Sequence, residues 1–101
     1  MTQQLREDLE KMVGPAEWQN LIPHAARDNL VLVNPGLDLV DVGMAVATDN
    51  VSSVQRWISE ALIAKPTVEQ LRDWEHDRSR QFKALIIQPY VLIQDTDASQ
   101  A

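Results

Sequence analysis

The sequence predicts a single small α+β domain, four to five helices packed on a small sheet of two or three strands. Three observations carry that expectation. Apolar residues recur at helical spacing through most of the chain. Two short branched-rich runs, LVLV (30–33) and ALIIQPYVLIQ (84–94), stand between polar or proline-containing breaks. A chain of 101 residues without cysteine must also be held by one apolar core, and its 45% hydrophobic content suits that.

Thr2 can cap a first helix in which Leu5, Leu9, Met12 and Val13 share one face. Gly14-Pro15 closes it and opens a second, with Pro15 in the tolerated first turn and Trp18, Leu21, Ile22 and Ala25 as the apolar stripe. Pro23 should bend or split that helix, because it lacks an amide hydrogen. LVLV, ended by Asn34-Pro35-Gly36, reads as a buried strand and a turn. LDLVDVGMAVATDN is apolar on almost every face, so it reads as a buried helix capped by Asp38, with Gly43 admitting another backbone; LDLVDV also admits a strand. Val54, Trp57, Ile58, Ala61 and Leu62 define the next helix, closing before Lys65-Pro66. Thr67-Val68-Glu69-Gln70 is a capping box, and Val68, Leu71 and Trp74 line the helix it starts. KALIIQ and YVLIQ read as extended chain interrupted by Pro89, which belongs at an edge, bend or bulge. Residues 1–94 form the domain, and 95–101 read as a disordered polar tail.

Charge excludes more than it suggests. Residues 1–29 hold three basic and five acidic groups, 30–66 two and four, and 67–101 four and six, so each third is −2. The positive footprint of a nucleic-acid binder is missing, and so is a polybasic lipid anchor. No apolar run spans a bilayer, the N-terminus lacks a signal h-region, and cysteine chemistry is excluded; the expected setting is cytoplasmic.

Trp18 with Leu21, VLVNPGLDLVDV, the spacing from Asp49 to Trp57, AKPT ahead of another tryptophan, and IIQPYVLIQ together resemble the small bacterial domain of unknown function 2288 family. The resemblance spans residues 5–94 and departs at Tyr90, where the family often has tryptophan. It implies one domain in a bacterial, cytoplasmic setting, and carries no activity, cofactor or catalytic residue.

Four groups of residues could carry chemistry. Met44, Ala47, Val54 and Trp57 have helix-turn-helix spacing, which would make residues 39–62 a DNA reader with Ser52, Ser53, Gln55 and Arg56 as contacts. Against it, Thr48-Asp49 replaces the usual glycine and apolar residue, and the reading face has one cation. Arg78, Arg80 and Lys83 form the one local cationic cluster, suited to an anion or simply to a helix C-terminus. Asp73 and His76, with Glu69 a turn before, could offer two ligands to a metal, but a useful site needs three or four, the other histidine, His24, is remote, and solvated charge on a helix face accounts for them. Asp38, Asp41 and Asp49 could supply an acid–base pair, but no nucleophile–base–oxyanion set accompanies them.

The expected function is therefore contact with protein, foremost with a second copy, and neither cofactor nor nucleic acid is expected. A DNA-binding regulator is the second reading and a carboxylate-based enzyme the third. The expected self-association segment is 84–94, with Leu85, Ile87, Tyr90 and Leu92 as its residues. Its faces are both apolar, and Pro89 would hold part of it at a sheet edge.

Overall fold

A computed structural model describes residues 2–96. In chain order the elements are α1 (Thr2–Met12), β1 (Gly14–Glu17), α2 (Trp18–Ala26), β2 (Leu30–Val33), α3 (Leu39–Ala47), α4 (Val51–Ser59), β3 (Ile63–Ala64), α5 (Val68–Glu75), β4 (Gln81–Ile87) and β5 (Tyr90–Asp95). The five strands form one sheet in the order β1-β4-β5-β2-β3, parallel between β2 and β5 and antiparallel elsewhere.

The five helices agree with the sequence reading; the two or three strands do not, because the sheet has five. The extra strands are its two edges. β1 is the segment GPAE, with no branched or alternating pattern, and it is extended only because Gly14 to Glu17 pair with Ala84 to Gln81 of β4. Pro15 thus lies in an edge strand, where its missing amide costs no ladder bond on the open side, rather than in a first helical turn. β3 is two residues long, too short for any periodicity to announce it. Nor do KALIIQ and YVLIQ form one interrupted edge strand. They fold back as the β4–β5 hairpin, with Ile87 opposite Tyr90 across Gln88-Pro89, and occupy the second and third places in the sheet.

Both faces of that hairpin are covered. Leu85 and Leu92 stand opposite one another and pack with Leu9, Val33, Val42 and Ile63 under α1 and α3. The alternate residues Phe82, Ile93 and Val91 pack with Trp18, Leu21 and Trp74 under α2 and α5. The rings of Trp18, Trp74 and Phe82 form a cluster with centroids 4.9–6.3 Å apart. Trp18 and Trp74 are therefore core residues, as their stripes predict, whereas Trp57 is only half-buried at the margin of the other cluster.

Three helices end on the same kind of stop. At the ends of α2, α3 and α4 the chain turns through Asp28, Asp49 and Ala61, each with φ near +60°. Behind each lies the same pair of bonds: Asn29 N to His24 O and Asp28 N to Ala25 O, Asn50 N to Ala45 O and Asp49 N to Val46 O, Leu62 N to Trp57 O and Ala61 N to Ile58 O. This is the Schellman stop, which usually takes glycine at the left-handed position. Without glycine there, α4 reads as continuing to Leu62, but it ends at Ser59. Capping by Asp38, which accepts from Val40 N at 2.9 Å, and the Thr67–Gln70 capping box are as expected. Pro23 does not split α2. Beyond Asp95, the last residue of β5, and Thr96, the expected tail lies outside the described residues.

Gly43 is approached by a side chain, not a backbone: a Cβ built there would stand 2.5 Å from Leu85 Cδ2. Because Leu85 is fully buried, it has little room to yield. Gly43→Ala should lower stability by about 1–2 kcal/mol in urea denaturation, overpacking outweighing the helix propensity gained. Gly14→Ala, with nothing within 4 Å, should be near neutral. Ala61→Gly should raise stability by up to about 1 kcal/mol, since it relieves a left-handed alanine.

Candidate docking surface beside the fourth helix

α4 begins where the Asn50 side chain accepts from Ser53 N at 3.3 Å, and it joins α3 through the three-residue turn Thr48-Asp49-Asn50. Val54 and Trp57 lean on the core, yet no residue of α4 is buried. Val51 is 54% exposed and Ile58 56%, and beside them Tyr90 at the start of β5 is 45% exposed. Tyr90 shares its face of the sheet with Leu92 and Leu85, while Val31 lies next to Leu92 on β2. Between α4 and this part of the sheet runs a trough with two recesses. One, of about 280 Å³, is lined by Val31, Val54, Ile58, Ile63, Ala64 and Tyr90, with Lys65 at its rim. The other, of about 200 Å³, shares Val54 and Tyr90 and adds Val46 and Val51 together with the polar Asp49, Asn50 and Gln55.

Of the expected self-association residues, Tyr90 lines this trough. Leu85 and Leu92 lie inside the core and Ile87 is half-buried. Val51, Ile58 and the β3 edge had no place in that expectation. The signal was present as a second apolar stripe, Val51, Val54 and Ile58, alongside Val54 and Trp57 on one short helix.

The other candidates fall as follows. α3 and α4 do form two helices joined by a tight turn, with Asp49 left-handed at the turn. Ser52, Gln55 and Arg56 are exposed and Ser53 is half-buried, and Arg56 is the single cation on α4. The cationic cluster is not assembled. Arg78 donates to Glu75 at 3.1 Å and Arg80 to Asp95 at 2.6 Å. Lys83 stands on the other face of the sheet, in step with Leu85. Asp38 caps α3, and Arg6 of α1 donates to Asp41 at 2.7 Å and to Asp38 at 3.4 Å, so these two carboxylates tie helices together. Asp41's hydrogen bond holds the Arg6 guanidinium above its ordinary pKa. Among the described residues, no three histidine, aspartate or glutamate side chains group as metal ligands would. His24 lies in α2 and His76 caps the end of α5. Among the described residues, no helix is long and apolar enough to cross a membrane.

Fold and surface thus define a small α+β domain with a five-stranded mixed sheet covered on both faces and an apolar trough at its margin. The chain belongs to the DUF2288 family, described as proteins of unknown function, whose profile matches residues 4–95. It is also similar to PA1075 from Pseudomonas aeruginosa, known from an NMR solution structure. The two are 31% identical with a TM-score of 0.77, over 87% of this chain and 81% of that one. Among curated proteins, none matches the chain.

Glu75 joins the aromatic cluster to solvent. Its Oε1 accepts from Trp18 Nε1 at 3.0 Å and its Oε2 from Arg78. The indole bond, and then Arg78, hold its carboxyl below the usual glutamate pKa. A lowered folded-state pKa contributes stability that is present above the unfolded value and lost as pH falls through the folded one. Stability should therefore decline on acidification below about pH 4, with a change in Trp18 fluorescence. Glu75→Gln should be less stable than wild type at neutral pH and should flatten that part of the profile.

Proposed function

We propose that the protein acts by binding protein through the trough between α4, β3 and Tyr90, as a non-catalytic domain of the cytoplasm. The observation that carries this reading is α4 itself, a helix with no buried residue that holds Val51 and Ile58 more than half exposed beside Tyr90. Burying the exposed half of such side chains stabilises by roughly 1 kcal/mol apiece, so the surface gains from a partner. The polar groups that could have suggested catalysis are committed to tying elements together, Asp38 and Asp41 through Arg6. Groove reading by α4 is favoured only by the tight α3–α4 turn. It is opposed by a net charge of −6 and the lone Arg56, since phosphate neutralisation dominates DNA affinity.

The test is site-specific photo-crosslinking in cells, with a benzophenone amino acid replacing Ile58 or, as control, exposed Asp73 on α5. A discrete protein adduct is expected from position 58, lost when Val51→Asp is added, and none from position 73. Equal labelling at both positions, or no adduct at 58, would remove this reading.

A further inference from the structure

We infer that the partner on this surface is a second copy of the chain, its β3 laid antiparallel against β3 of the first about a two-fold axis. The inference rests on the protein-contact reading above and adds who the partner is.

β3 is the last strand of the sheet and pairs with β2. Asn34 N donates to Leu62 O at 2.8 Å, and the register then sets Val33 opposite Ile63 and Leu32 opposite Ala64. Hydrogen-bonded and non-hydrogen-bonded pairs alternate along an antiparallel ladder. Ala64 therefore turns its amide and carbonyl toward β2, and Ile63 turns its own toward the open edge. An edge of this kind complements itself only when the second strand runs antiparallel, which is the arrangement a two-fold axis generates.

Space lies open on both sides of that edge. Ala64 and Lys65 line the recess of about 280 Å³ on the α4 face and also one of about 340 Å³ on the α5 face. A two-fold axis perpendicular to the sheet keeps its faces, so α4 of the second copy arrives on the same side as α4 of the first. A stable interface needs about 800 Å² from each partner. Two residues of strand cannot supply that, and the exposed apolar side chains Val51 and Ile58 of α4 and Tyr90 of β5 are what the adjoining surface adds.

A chain of net charge −6 repels its copy, so two copies must meet where acid is already balanced. Around β3 Lys65 is bonded to Asp28 and Asp95 to Arg80, and Arg56 offsets Glu60 at the end of α4. With Asp49 at the outer recess as its one further carboxylate, this margin is close to neutral and largely apolar, which suits an identical partner better than a strongly basic one.

The chain lacks cysteine, which makes the test clean. With the axis at Ala64, residue 64 faces its own mate in a non-hydrogen-bonded pair, with Cα atoms about 4.5 Å apart and within disulfide reach. Wild type should scatter light as a dimer at micromolar concentration. Ala64→Cys should oxidise to a covalent dimer, while Glu69→Cys on α5 should not. Ile58→Asp should weaken dimerisation more than tenfold with an unchanged circular dichroism spectrum. A monomeric wild type overturns the inference. So does a dimer in which Ala64→Cys fails to cross-link, whether or not Ile58→Asp splits it. If position 58 labels a different protein in cells, the protein-contact reading stands and this one falls; if it labels nothing, both fall.

Discussion

Leu85 and Leu92, directly opposed across the β4–β5 hairpin and both fully buried, are the contact on which the rest of the molecule is arranged. Strands buried on one face leave the other to be polar, but here the alternate residues Phe82, Val91 and Ile93 are buried as well. A hairpin apolar on both sides must have helices on both sides. α1 and α3 take one face and α2 and α5 the other, which gives three layers from a chain of 101 residues.

Polar clamps fix the layers around that hairpin. Gln94 is buried in β5, and its Nε2 donates to Asn34 O at 3.1 Å and to Leu37 O at 2.6 Å. It thereby fastens the loop between β2 and α3 and satisfies carbonyls that the turn would otherwise leave unmet. One residue further, Asp95 accepts from Arg80 and ties the end of β5 to the entry of β4. On the α2 and α5 face the Trp18–Glu75 bond does similar work between helices. These clamps explain why the strongest carboxylate and guanidinium contacts are structural.

α4 is the element left over. α3 occupies the sheet face over β4 and β5, with Gly43 admitting Leu85, and the left-handed turn at Asp49 then swings α4 outward toward β3. The same stop at Ala61 ends α4 early and leaves the chain just enough length to lay Ile63 and Ala64 against β2. The exposed side chains of α4 and the short open edge of the sheet therefore have one origin, the pair of helix stops that bracket the helix.

Helix stripes at Leu9, Leu21 and Trp74, the Asp38 cap, the Thr67–Gln70 box and the two branched-rich runs were legible in the sequence, because each is a local pattern enforced within a few residues. β1 and β3 were not, because GPAE and the two residues Ile63-Ala64 become strands only by pairing with β4 and β2. Placement of the C-terminal runs was also invisible. An apolar strand looks the same at an edge as at the centre, and only the pairing of β1 with β4 and of β2 with β5 puts the hairpin in the middle. Of the candidate surface, the sequence supplied Tyr90 and the apolar residues of α4. Which of them face outward was decided by tertiary structure, since left-handed turns at an aspartate and an alanine carry no glycine to mark them.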